Sequence, residues 1–348
     1  MVGHPIQSVI QSGFTACSDS VYVTGNNVRY RSTSDIQNNN IIGTFSKGKQ
    51  LTRVGKTAEW SAVLVDGKEC YLATQYLSMT PGGSAAASGT ATSGAAATGG
   101  IEVSLNSNDK YAGFSKINSG KASYYKSNID KRKEKVVCIN AGHGTSGGEN
   151  VKTQCHPDGS AKVTGGTTGK GVTSAVAVSG GMTFSDGTAE AKATLAMAKI
   201  LKDRLLAQGY DVIMIRESND VQLDNVARTV IANNNADCHI ALHWDSTASD
   251  KGAFFMSVPN NSTYRAMEPV ASHWQQHNKL GESLVNGLKS AGNKIFSGGS
   301  MEMDLTQTSY STIPSVDIEL GDKNSDHSDA ALSKLADGLV SGINSFFG

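Results

Sequence analysis

From Val136 onward the spacing of apolar positions switches back and forth between two patterns. Short apolar runs at Val136–Asn140, Asp211–Ile215, Asp237–Leu242 and Ser315–Leu320 alternate with longer segments of helical period. Runs of this length bounded by turn residues predict buried strands, and strands alternating with helices predict a parallel sheet covered on its faces. The clearest helix is Glu190–Gln208. Leu195, Ala198, Leu201 and Leu205 recur on one face, Asp186 or Thr188 can cap its start, and Gly209 stands just past its end. Further helices are expected at Gln222–Asn233, Ser272–Ala291 and Asp329–Phe346.

The first 80 residues follow another pattern. Short β-type runs (Val21–Val23, Val28–Arg31, Ile41–Phe45, Gln50–Val54, Trp60–Val65, Glu69–Leu72) are broken by Gly, Asn and the hairpin signal Asp66-Gly67. This spacing predicts a small all-β barrel over residues 19–80. Gly82–Gly100 contains only Gly, Ala, Ser and Thr, a composition that buries too little apolar surface to order itself. As a flexible coil it spans on the order of 25 Å. Ile101–Lys135 is polar and aperiodic and ends in a charge run from Asp130, so residues 81–134 are expected to form a linker followed by a polar tether or a weakly docked extension. Residues 135–348 then make an α/β domain with an open, mainly parallel sheet flanked by helices.

Composition narrows the partners. Basic and acidic residues number 31 each, so the chain lacks the electrostatic footprint of a nucleic-acid binder or an anionic-membrane binder. No apolar stretch approaches the roughly 18 residues of a membrane span, so no membrane insertion is expected. Met1–Cys17 lacks the basic start and apolar run of a signal peptide. Export is therefore expected through a signal removed beforehand or through another route, such as the membrane holes made by a phage. Cys17, Cys70, Cys138, Cys155 and Cys238 are too scattered for a disulfide scaffold and include no C-x-x-C pair. Their disulfide state and the oligomeric state stay open.

The chemistry concentrates at strand ends. His143 follows the first strand in Ile139-Asn-Ala-Gly-His-Gly144, His243 follows the third, and Glu190 opens the main helix. Functional groups in an open parallel sheet gather beyond the carboxyl ends of the strands, where two histidines and a carboxylate can converge as the ligand set of a catalytic zinc. Other candidates read as ordinary. His273 and His277 lack the glutamate of H-E-x-x-H and are expected at the surface. Cys155-His156 is expected to be an unliganded loop pair, and Cys138 and Cys238 buried strand thiols.

Over Lys135 to the end, the chain resembles the zinc-dependent N-acetylmuramoyl-L-alanine amidases of the Amidase_3 type. The resemblance rests on Ala141-Gly-His-Gly144, Thr188-Ala-Glu-Ala-Lys-Ala-Thr-Leu195, Ile213-Met-Ile-Arg216, Arg228, Ala241-Leu-His243 and Pro314-Ser-Val-Asp-Ile-Glu-Leu-Gly321, in order. It implies a single Zn2+ on His143, Glu190 and His243, with Glu319 catalytic. It also implies cleavage of peptidoglycan between N-acetylmuramic acid and L-alanine of the stem peptide, by an endolysin or autolysin acting in the cell wall or outside the cell. A zinc peptidase acting within the stem, or a non-catalytic wall-binding protein, are the alternatives. Asn27-Val-Arg-Tyr-Arg-Ser32, Ile42-Gly-Thr-Phe-Ser-Lys-Gly48, Trp60 and Gly67-Lys-Glu-Cys-Tyr-Leu72 resemble the bacterial SH3 (SH3b) family, which implies a wall-binding module. Between two of the proposed ligands lies Thr145–Ser185, a long Gly-rich segment expected to be a flap or wall of the substrate groove, or else an inert insertion.

Overall fold

The computed structural model describes residues 14–25, 28–35, 40–57, 59–78 and 100–348. The chain divides into two compact units, Met1–Ser93 and Gly94–Gly348. The low-complexity run at 82–99 lies outside the described residues.

The first unit is all-β. Strands β1 (Thr15–Val23), β2 (Val28–Arg31), β3 (Ile41–Phe45), β4 (Gln50–Lys56), β5 (Trp60–Val65), β6 (Lys68–Ala73) and β7 (Leu77–Ser78) form an antiparallel sheet in the order β3-β2-β6-β5-β4-β1-β7. The β5–β6 hairpin turns at Asp66 and Gly67, both at positive φ, as a two-residue turn matched to strand twist requires. Val21, Val23, Phe45, Leu51, Val63 and Leu72 make the core. Tyr71 is buried and Trp60 half-buried. The first strand starts at Thr15, ahead of the expected boundary at 19, because an irregularity between Ala16 and Asp19 in its pairing with β4 breaks the alternation that sequence reading relies on.

In the second unit, β10 (Val136–Ala141), β13 (Asp211–Met214), β14 (Cys238–Asp245) and β17 (Ser315–Asp322) form the parallel centre of an eight-stranded sheet, in the order β13-β10-β14-β17. On one side β15 (Ala253–Ser257) runs antiparallel to β17 and parallel to β16 (Ile295–Glu302). The segment expected as a tether or a docked extension carries two strands. Residues 101–103 and 122–125 are strands β8 (Ile101–Val103) and β9 (Ala122–Tyr125), added antiparallel to the open edge of β13. Ala122 is buried there. The loop between them is tied down by Asp224, which accepts from Lys116 N (2.6 Å), Ile117 N (2.9 Å) and Ser115 Oγ (3.0 Å). Edge strands of three or four residues carry too few apolar positions for a visible period, and the backbone of a neighbouring edge supplies their pairing.

The two faces of the sheet take alternate residues. Val137, Ile139, Ile240, Leu242, Val316 and Ile318 point into the larger core with α1 (Glu190–Ala207), α4 (Val270–Ser290) and α6 (Asp329–Phe347). Cys138 and Ile213 pack on the opposite face with Ala227 and Ile231 of α2 (Asn225–Asn235). By the same alternation His239 and His243 of β14, and Asp317 and Glu319 of β17, lie on the α2 face. The remaining elements are the β-pair β11 (Lys152–Gln154) and β12 (Ser174–Val176), and the short helices α3 (Ser262–Ala266) and α5 (Thr306–Tyr310). Helix α1 begins at Glu190 with Ala189 as its cap residue and no side-chain cap; Asp186 instead accepts from Thr188 N in the preceding turn. No helix among the described residues is long and apolar enough to cross a membrane.

Candidate metal centre and active-site cleft

β10 ends at Ala141, and His143 follows in a left-handed conformation, with φ 64°. A non-glycine residue there is strained and needs outside support. Two buried guanidiniums give it: Arg228 Nη2 donates to His143 O (2.7 Å), and Arg216 donates to Ala141 O from Nε (3.0 Å) and to Gly142 O from Nη2 (2.9 Å). Burial lowers their affinity for protons, Arg216 to about 10 and Arg228, where Arg216 adds repulsion, to about 9.

The turn brings His143 Nε2 to 2.8 Å from Glu190 Oε1 and 3.0 Å from His243 Nδ1; His243 Nδ1 is 3.1 Å from the same Glu190 oxygen. The donor atoms of His143, Glu190 and His243 all lie within 4.8 Å of one another, and the three could hold a metal ion. Two of the three are braced. His143 Nδ1 lies 2.8 Å from Ser179 O, an acceptor only, so Nδ1 carries a hydrogen and Nε2 is the nitrogen that faces the cluster. Glu190 accepts from two backbone amides, Trp244 N at Oε1 (3.0 Å) and Met182 N at Oε2 (2.9 Å). Burial raises the Glu190 pKa, but the bonds from His143 and His243 outweigh it and hold the carboxyl well below the usual range.

Glu319 stands across the strand pair from His243. Burial, then the charge of Asp317, pushes its carboxyl well above the ordinary value. Glu319 Oε2 and Asp317 Oδ1 are buried without a hydrogen-bond partner among the described residues. Burial disfavours a charged His243, yet Asp317, Glu190 and Glu319 overcome this and push its imidazole up to about 10. Three carboxyl groups thus surround two imidazoles in a poorly solvated place, where a bound cation would favour the charged form of each carboxyl. Sequence reading missed Asp317. Its signal was available, since a residue two before Glu319 on a strand shares its face.

These groups line a cleft of about 570 Å³. Its other wall comes from the 145–185 segment, through Lys162, Gly166–Thr168 and Ser179–Met182, and from Met303 and Leu305–Gln307. The segment is pinned through Asp304, whose carboxylate accepts from His156 Nε2 (3.0 Å), Lys162 Nζ (3.0 Å), Val163 N (2.7 Å), Thr164 N (3.0 Å) and the Thr164 hydroxyl. His156, expected as an unliganded loop residue, is a buried member of this hub. His277 also departs from expectation: it is 2% exposed, with Nδ1 accepting from Ser315 N, because its face of α4 packs on β17. His273 keeps a bond to Pro269 O on its own helix. Cys138, Cys155 and Cys238 are buried free thiols.

The family model described as N-acetylmuramoyl-L-alanine amidase (Amidase_3) matches residues 137–345. No curated protein matches the chain. Among solved structures, the apo form of the N-acetylmuramyl-L-alanine amidase Ami1 from Mycobacterium abscessus superposes with a TM-score of 0.50 at 19% identity, over 62% of this chain and 99% of that one. Ami1 from Mycobacterium smegmatis gives 0.50 at 18%, over 62% and 97%. At such identities the likeness speaks for the fold, and the family match, which takes in His143, Glu190, His243 and Glu319, speaks for the chemistry. The chain belongs to the N-acetylmuramoyl-L-alanine amidase family and is a peptidoglycan amidase.

Proposed function

We propose that His143, Glu190 and His243 hold a single zinc ion and that Glu319 is the acid–base group for hydrolysis of the lactyl amide. The observation that carries this reading is the convergence of His143 Nε2, His243 Nδ1 and Glu190 Oε1 at 2.8–3.1 Å on the cleft floor, beside Glu319. Two imidazoles and one carboxylate are the protein donors of catalytic zinc sites, whereas structural sites are closed by cysteines. Zinc supplies Lewis acidity toward the carbonyl and brings the pKa of water from 15.7 to about 7. Glu319 takes the proton of the attacking water and delivers it to the amide nitrogen, so that L-alanine leaves as a neutral amine. Arg228 and Ser179 hold His143 in place while this happens.

The first unit, in this reading, is an SH3b-like module that keeps the enzyme on peptidoglycan. An endolysin or autolysin working in the wall or outside the cell fits both the module and the reaction. Mass spectrometry of digested sacculi tests the reaction: free amino groups should appear on L-alanine without new reducing ends. New termini inside the stem peptide, with the lactyl amide intact, would favour a stem peptidase instead. For the binding module, residues 100–348 alone should cleave soluble muropeptides as the full chain does but sediment poorly with sacculi. The cut must precede β8, since removing β8 and β9 would uncover the edge of β13.

A further inference from the structure

The two proposed histidine ligands are braced differently on the nitrogen that faces away from the cluster. His143 meets a neutral backbone carbonyl, Ser179 O. His243 meets a carboxylate: its Nε2 lies 3.6 Å from Asp317 Oδ2, an ion-pair distance longer than a hydrogen bond. Asp317 stands beside Ala241 in the β14–β17 register, diagonal to His243 and two residues before Glu319. Its Oδ1 is buried with no hydrogen-bond partner among the described residues. A third contact confines the ring. A Cβ on Gly142 would come within 2.2 Å of His243 Cε1, so the Gly142 backbone lies against the imidazole and only glycine fits there. Nδ1 already faces Glu190 and His143. The ring therefore has its metal-facing edge toward the cluster and its other nitrogen toward a negative charge.

We propose that Asp317 is a positioning residue of this centre: its carboxylate holds the hydrogen of His243 on Nε2, which presents the Nδ1 lone pair to the metal and makes it more basic. This rests on the reading of His143, Glu190 and His243 as metal ligands. Carboxylates set behind ligating histidines fix the tautomer and ring orientation, and losing one typically weakens metal binding 10-fold to 100-fold. A carboxylate left charged and unpaired at this depth would be costly, whereas one facing a histidine bound to a cation is compensated.

The test measures zinc affinity of the full chain by competition with a chelator, together with the visible spectrum of the cobalt(II)-substituted protein. Asp317→Asn keeps size and an acceptor oxygen but loses the charge; Asp317→Leu loses both. Zinc should bind more weakly in the order wild type, Asn, Leu, with the Leu variant down by about 10-fold to 100-fold, and the cobalt bands should shift in both. Wild-type affinity and an unshifted spectrum in Asp317→Asn overturn the proposal, and this isosteric variant decides the matter if Asp317→Leu fails to fold. His143→Ala is the control. If the wild type binds zinc no better than His143→Ala, the metal reading itself fails; if only His143→Ala loses zinc, Asp317 alone has been misassigned.

Discussion

His143 Nδ1 lies 2.8 Å from the carbonyl oxygen of Ser179, a residue 36 positions further along the chain. The 145–185 segment thus leaves the sheet after His143 and returns to brace it, and its Met182 amide then braces Glu190. The cleft wall and the brace of His143 and Glu190 are one piece of backbone.

Separating these two roles gives the first prediction. Replacing residues 152–176, which include the β11–β12 pair, by a short Gly-Ser bridge keeps Ser179 and Met182 but removes the wall at Lys162 and Gly166–Thr168. Turnover of soluble muropeptide should fall about tenfold or more, a loss of the size expected when a reacting group is no longer held in place, while zinc content stays unchanged. Unaltered kinetics on both soluble substrate and sacculi would mean that the wall is decoration.

Asp304 should carry much of the wall's stability. Removing it strands His156 and Lys162, which are 1% and 7% exposed, without their anion. Breaking a buried pair on one side costs on the order of 3–5 kcal/mol. Urea denaturation of Asp304→Ala should register a loss of that size or an early local transition confined to the cleft. Asp304→Asn, which keeps an acceptor, should lose less.

Glu319→Gln and His143→Ala should fail in different ways. The glutamine variant is expected to retain about one zinc per chain and lose 10²-fold to 10⁴-fold in rate, the usual contribution of an acid–base group. The alanine variant should lose the metal as well. Elemental analysis alongside muropeptide kinetics separates the two, and wild-type turnover in Glu319→Gln would remove that residue from the mechanism.

Acid sensitivity should come in part from His239 and His277. Burial, with Arg228 adding to it for His239 and His273 for His277, lowers both to about 3, while in the unfolded chain they titrate near 6.5. A folded-state pKa below the unfolded one means that the unfolded chain takes up protons first as pH falls. Stability is therefore full above about 6.5 and declines between about 6.5 and 3, by about 1.4 kcal/mol per pH unit for each imidazole. His277→Asn can still accept from Ser315 N and should flatten the fall in urea midpoint between pH 7.5 and 5.5. An unchanged slope would show that this imidazole does not set the acid limit.

How much of this was legible beforehand differs from residue to residue. His143, Glu190 and His243 could be picked out because parallel strands deliver their last residues to one edge, and strand and helix periods are written locally. Glu319 came from its motif, and the Asp66-Gly67 hairpin from its turn chemistry. Whether Ile101–Tyr125 was a tether or a docked extension could not be read beforehand, because two short polar strands owe their order to the open edge of β13 rather than to any period of their own. The burial of His156 could not be read beforehand because its partner Asp304 is 148 residues away, and His277 looked exposed because only the packing of α4 on β17 buries it. Asp317 lies between these cases. Alternation put it on the face of Glu319, but its nearness to His243 needed the register of β14 against β17. Local sequence determined the elements and the residue types able to bind a metal. Which groups meet, and which buried charges are compensated, was decided by pairings between distant segments, where burial makes each contact matter and no local pattern records it.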